Sequence, residues 1–234
     1  MKKLSNIKLL MWLITLTFVI SIIVISVYII LAPTTAPADN PNVRVKGDYF
    51  LMLFQSCTGI IAMAIPLLLR RKAKVAIPPA MLVAYAIFMY CAIFLGEVRR
   101  FYFTVPHWDT LLHTFSGAAI CALGFSVVNL LNKSEAVAFS LSPIFVAIFA
   151  FCFALTIDVL WEYYEFFMDY FFNTNMQNYA LEDGTPFIGK VALLDTMKDL
   201  LVDGAGALVA AIAGYISLKY KKGWVERFAV KQIK

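Results

Sequence analysis

Ile144-Phe-Val-Ala-Ile-Phe-Ala-Phe-Cys-Phe-Ala-Leu-Thr-Ile157 runs without interruption into Asp158-Val-Leu-Trp-Glu162-Tyr-Tyr-Glu165-Phe-Phe-Met-Asp169. The first half continues an apolar segment long enough to enter a bilayer. The second half places carboxylates at i, i+4, i+7 and i+11. On an α-helix turning about 100° per residue, all four fall within an arc of roughly 60°. Everything between them is large and apolar or aromatic. An acid stripe on a membrane helix is expensive, about 2.5–3.5 kcal/mol for each central Asp on insertion scales. Cations, a metal, protons or water must therefore compensate it.

The rest of the chain has the same character. Its 234 residues are 62% hydrophobic, with a mean hydropathy of +0.79. A soluble domain needs far less. The sequence predicts an all-α polytopic membrane protein, one bundle of six transmembrane helices forming a single domain over residues 1–234. The expected spans are about 9–31, 49–69, 76–96, 108–131, 143–172 and 191–220. Ser142-Pro143 supplies an N-cap and first-turn pair for the fifth. Ala36 and Ala38 are spaced like a signal-peptidase site, but the first apolar run exceeds the 7–15 residues of a signal peptide, so the span is expected to be retained. Cys57, Cys91, Cys121 and Cys152 sit singly in different spans and read as small buried hydrophobes. The net charge of +5 is not a nucleic-acid signal, because the basic residues cluster between apolar spans.

That clustering orients the chain. With the N-terminus in the cytoplasm, Lys2, Lys3, Lys8, Arg70, Arg71, Lys72, Lys74, Lys133, Lys219, Lys221, Lys222, Arg227, Lys231 and Lys234 lie inside. Arg44, Lys46, Arg99, Arg100 and Lys190 lie outside, and Lys198 lies within a span. Both termini are expected to be cytoplasmic. Trp108, Trp161, Tyr163, Tyr164 and Tyr170 would then join the outer aromatic belt.

Two further spans carry polar groups. His107-Trp-Asp109-Thr-Leu-Leu-His113 opens the fourth span, with Asp109 and His113 on one helix face. Asp195-Thr-Met-Lys198-Asp199-Leu-Leu-Val-Asp203 opens the sixth and leads into Gly204-Ala-Gly-Ala207, small enough to admit a neighbouring helix. Counting about 1.5 Å per residue from the cytoplasmic ends, His113 stands about 27 Å up, Asp158 about 22 Å, Glu162 about 28 Å, Asp203 about 24 Å and Asp199 about 30 Å. Consecutive spans alternate in direction and tend to be neighbours. The sequence thus predicts one shared site in the outer half of the bilayer, opening outward beneath the 173–189 loop. Many carboxylates with one or two imidazoles suit a divalent metal: Zn, Mn, Fe or Mg. Lys198 is the one base inside the spans and could instead pair with Asp195, Asp199 or Glu162. Arg99-Arg100, beside the mouth, could draw lipid phosphate or an anionic substrate, or simply snorkel to the interface.

Three segments carry a resemblance: Trp108-Asp109-Thr-Leu-Leu-His113-Thr-Phe-Ser116-Gly117, Trp161-Glu162-Tyr-Tyr-Glu165-Phe-Phe-Met-Asp169, and Asp195-Thr-Met-Lys-Asp199-Leu-Leu-Val-Asp203-Gly-Ala-Gly-Ala207. Together they resemble the YjdF-like family of bacterial inner-membrane proteins over roughly residues 97–214. The resemblance implies a multi-pass bacterial inner-membrane protein with Asp109, His113, Glu162, Glu165, Asp195 and Asp199 at the motif positions. It implies no activity.

Three functions fit these residues. In the first, a metal-dependent hydrolase at the outer leaflet, Asp109, His113, Glu162 and Asp199 hold the metal and Glu165 or Asp158 acts as base. Asp195, Asp203, Lys198 and His107 line that site. The second is a cation- or proton-coupled transporter, which also needs a polar path to the cytoplasm. The third is a structural or partner-binding protein whose acids form a buried ion-pair network. The lipid bilayer is the one partner the sequence implies, and HExxH, phosphate-loop and GxSxG motifs do not occur.

Overall fold

A computed structural model describes residues 2–35, 43–132, 141–181 and 184–233. The Ala36–Ala38 spacing, Lys133, Lys234 and the middle of the 132–141 link lie outside the described residues, as do the side chains of Lys2 and Lys3. Among the described residues, six helical stretches are long and apolar enough to cross a bilayer: Asn6–Leu31, Lys46–Lys72, Pro79–Val98, Trp108–Leu131, Pro143–Phe172 and Gly189–Lys219. The all-α polytopic bundle is therefore the fold, and the six segments match those expected to within a few residues.

The boundary shifts have local causes. Helix α1 covers Lys2–Leu31 and α2 covers Lys46–Lys72. The start of α2 precedes Tyr49 because the Asp48 carboxylate accepts the Val45 N–H at 2.8 Å and closes the first turn. The third span does not begin at Ala76. Val75–Ala76 forms strand β1, antiparallel to β2 at Lys231–Gln232. A proline holds the residue before it extended, so α3 starts at Pro79 and runs to Met89. The span then continues as a wide π-helical segment over Tyr90–Val98. Glu97 and Val98 thus belong to helix and not to the loop expected from 97 to 106. The short helix α4, Phe101–Thr104, follows Arg100 at φ 61°.

The fourth and fifth spans begin at Trp108 and Pro143 as expected, and the sixth begins at Gly189, just before its expected start. Helix α5 is Trp108–Asn132, and α6 is Pro143–Phe172. The Ser142 hydroxyl accepts the Phe145 N–H at 3.4 Å, and Asn173 in the left-handed region ends α6. A single 3-10 turn, Gly189–Leu193, leads into α7, Leu194–Lys219. Helix α8, Trp224–Phe228, follows.

The helices pack as two groups of three. In the first, α1, α2 and α3 close around Ile14, Phe18, Met63 and Ala86. In the second, α5, α6 and α7 close around Cys121, Phe125, Ala150, Ala154, Ala207 and Ala211. Small residues set the spacing of the second group. A Cβ on Gly124 would press on the Ala150 backbone, and one on Gly214 would enter the Phe125 ring. The two groups meet where the Trp108 indole donates to the Cys91 carbonyl at 3.3 Å and Phe88 stacks on Phe115. They meet again at β1–β2. There the C-terminal segment is pinned by the buried Ser126 hydroxyl, which donates to the Phe228 carbonyl and accepts the Val230 N–H. At the other end Arg44 donates to the carbonyls of Glu97 and Val98, each at 3.2 Å. Burial and the nearby Arg100 lower its pKa, against the opposing pull of Glu97, Tyr49 and Asp48.

One expectation is corrected here. Only Cys121 is buried; Cys91 is half-buried, and Cys57 and Cys152 face outward. The exterior of a bilayer-spanning bundle is itself apolar, so an apolar residue need not point inward. Trp108 is half-buried and packs edge-on against Phe101. Trp161, Tyr163 and Tyr170 are exposed, as a belt requires.

Candidate functional site

Helix periodicity places Asp109 and His113 one turn apart on α5, and Lys198, Asp199 and Asp203 on the facing turns of α7. The two helices touch backbone to backbone. A Cβ on Gly117 would strike the Asp203 carbonyl, and one on Gly206 would strike the Thr114 carbonyl. Gly204, by contrast, only approaches the Leu155 side chain at 3.4 Å. This close approach brings the His113 ring against the α7 carboxylates.

His113 is held at both nitrogens. Nδ1 lies 2.8 Å from Asp203 Oδ2, while Nε2 faces Asp109 Oδ1 at 3.5 Å. The second Asp203 oxygen accepts the Ser116 hydroxyl at 2.9 Å. Asp203 is thus saturated and 2% exposed, and it fixes the imidazole. A carboxylate on one ring nitrogen with the other nitrogen turned toward further carboxylates is the usual support of a metal-ligating histidine. One ligand atom each from Asp109, His113 and Asp199 lies within 4.8 Å of the other two. Atoms around a filled zinc centre lie about 3–4 Å apart, so the three would draw inward on binding.

Two oxygens of this trio are short of partners. Asp109 Oδ2 and Asp199 Oδ1 are buried without a hydrogen bond. Each lies 3.5 Å from the Lys198 ammonium, an ion-pair separation too long for a strong hydrogen bond. Lys198, 39% exposed, thus reaches in from the rim as counter-charge.

The α6 acids form the facing wall, and their roles diverge. Asp158, 3% exposed, leaves Oδ2 without a partner, and Glu162 leaves Oε1 without one. The other Glu162 oxygen accepts the Gln177 amide at 3.2 Å, and that amide also reaches the Thr196 hydroxyl at 3.0 Å. Glu162 therefore stands apart from the close trio. Glu165 accepts the Trp161 indole at 2.9 Å. Asp169 is committed to the loop. It accepts from the Thr174 hydroxyl and from the Met176 and Gln177 backbone. Those bonds fold residues 174–177 across the gap between α6 and α7, where Asn178 also donates to Asp195 at 2.9 Å. His107 is a correction: it is exposed, at φ 59°, and precedes α5. Its carbonyl accepts the Leu111 N–H as the helix-starting residue, and the ring lies outside the cluster.

Sequence reasoning missed two groups here. Gln177 sits in a polar loop with no periodic signal. Tyr102 packs over Gly96 beside the acids. Burial raises its phenol pKa well above the ordinary value, and Asp109, Glu97 and Glu165 push the same way, so the hydroxyl stays protonated at physiological pH. Ser116 had a signal, being one turn from His113 on α5.

Beneath the cluster the helices meet at the apolar core of Cys121, Phe125, Ala150 and Ala154. Among curated proteins and solved structures nothing matches the chain. One family model does, over residues 9–220, a stretch that takes in nearly all of the six spans and every acid of the site. Its description, "Predicted membrane protein (DUF2238)", assigns no activity. The chain belongs to that family of uncharacterised membrane proteins.

Proposed function

We propose that the protein is a divalent-cation-dependent membrane enzyme, a hydrolase working at the outer leaflet, with Asp109, His113 and Asp199 as the metal ligands. The observation that carries this reading is His113, which Asp203 holds at Nδ1 while Nε2 faces Asp109 beside the under-bonded Asp199. Mixed imidazole and carboxylate donors suit Zn, Mn or Fe, and less well Mg. A bound ion would supply a polarised water or carbonyl. The chain's own groups do the rest. Asp203 sets the ring orientation, and Lys198 offsets negative charge when the ion is absent. Glu162, braced by Gln177, borders the site and is the candidate fourth ligand. Asp158 or Glu165 takes a proton, and Asp158 is favoured because one of its oxygens has no partner. Asp195, tied to Asn178, lines the entrance. We place the site on the extracytoplasmic side, with both termini in the cytoplasm, on the lysine and arginine asymmetry.

Metal analysis of detergent-purified protein tests this. Near-stoichiometric Zn, Mn or Fe that disappears in His113→Ala and Asp199→Asn, with both variants still inserted, is expected. Wild-type protein that is folded yet takes up none of these ions would sink the reading. A second reading, a structural ion-pair network, rests on the Lys198 ammonium lying 3.5 Å from both Asp109 and Asp199. In that case Lys198→Met destabilises the protein and creates no site. The transporter reading is disfavoured by the apolar packing beneath the cluster.

A further inference from the structure

We propose that the end of the molecule remote from the acid–histidine cluster binds one anionic phospholipid, between the start of α3 and the C-terminal segment. A cavity of about 460 Å³ lies there. One wall is the apolar run from Ala76 to Pro79; the other carries Arg227 and Lys231, with Glu226 beside them. Two prolines in the first wall lack N–H groups, so that wall offers little to a hydrated ion and suits a hydrocarbon chain. The second wall offers two exposed cations against one carboxylate, a net attraction for a phosphate.

Position selects a lipid over free phosphate. Pro79 is the first residue of the third span, so the cavity sits where that helix enters the bilayer and headgroups are already concentrated. The walls are fixed independently of any occupant. β1 pairs with β2, Ile233 donates to the Lys74 carbonyl at 2.6 Å, and Ala229 and Val230 are buried. The basic residues around it, Arg70, Arg71, Lys72, Lys74, Lys221 and Lys222, are exposed on the same end and draw the same headgroups. The lipid would bridge the two three-helix groups, since its two walls belong to different ones.

Native mass spectrometry of the full-length protein in detergent tests the proposal, with phosphatidylglycerol, phosphatidylcholine and inorganic phosphate as probes. Wild type is expected to retain phosphatidylglycerol at least several-fold better than phosphatidylcholine, and phosphate is expected not to displace it. Arg227→Gln/Lys231→Gln should lower retention several-fold, Glu226→Lys should raise it, and Arg70→Gln/Arg71→Gln, whose side chains do not line the cavity, should lower it far less. Equal loss in both arginine-containing double variants, or no discrimination between the lipids, overturns the site. Displacement by millimolar phosphate overturns the lipid as occupant. If the Arg227/Lys231 variant does not fold, the gain or its absence in Glu226→Lys decides alone.

Discussion

At the scale of single residues, Asp203 is the most informative group. Both its oxygens are engaged, one by His113 and one by Ser116. Asp203→Asn keeps the shape and removes the charge that orients the imidazole. Losing such a supporting carboxylate typically costs 10–100-fold in metal affinity. Calorimetric titration with Zn should show a loss of that size, while Asp169→Asn, which reaches Glu162 only through Gln177, should cost less. Lys198→Met separates the two readings of the cluster. If Lys198 is a displaceable counter-charge, the variant retains metal at least as well as wild type through dialysis; loss of folded protein with no metal bound would favour the ion-pair network. The residues on α5 and α7 were legible because the spacing i, i+4 on a helix fixes a face whatever the tertiary packing. Gln177, Tyr102 and the failure of His107 to join were not. Their positions depend on loop and π-helical geometry, which no short-range pattern encodes.

At the scale of elements, convergence of α5 and α7 depends on two glycines. Gly117 faces the Asp203 carbonyl and Gly206 the Thr114 carbonyl, each with no room for a Cβ. Replacing either by alanine should force the helices apart at the level of the site, at about 1–3 kcal/mol for overpacking. The thermal midpoint of the detergent-purified variants should fall, whereas Gly204→Ala, with open contact to Leu155, should be near neutral. From sequence all of these glycines looked alike. Their difference lies in the angular position each takes on α5 or α7 once the facing helix is known. The third span teaches the converse. Its hydropathy was clear, but Pro78 and Pro79 set where it starts, and the Tyr90–Val98 segment winds more loosely than a regular helix. That winding shifts the face presented by every residue from Tyr90 to Val98, including Glu97.

At the scale of the whole molecule, hydropathy alone delineated six spans, because the bilayer length is a demand no tertiary contact overrides. Which side each end faces is a separate question, answered by charge. Single-cysteine labelling of intact cells, in a background lacking Cys57, Cys91, Cys121 and Cys152, should modify a cysteine at position 178 and spare one at 222. The opposite pattern would turn the site toward the cytoplasm. The division into two three-helix groups has a consequence for biogenesis. The buried cluster of spans one to three is drawn from those spans alone. The second group is different, because Asp199 and Asp203 lie on the last span. Until that span leaves the ribosome and inserts, His113 lacks its anchoring carboxylate, and Asp158 and Glu162 lack the α7 side of their enclosure. The nascent chain therefore passes through an interval in which its most polar side chains face lipid or the translocation machinery. Chains halted before residue 190 should be cleared by membrane proteases faster than chains halted after residue 220, a difference that pulse-chase labelling would measure.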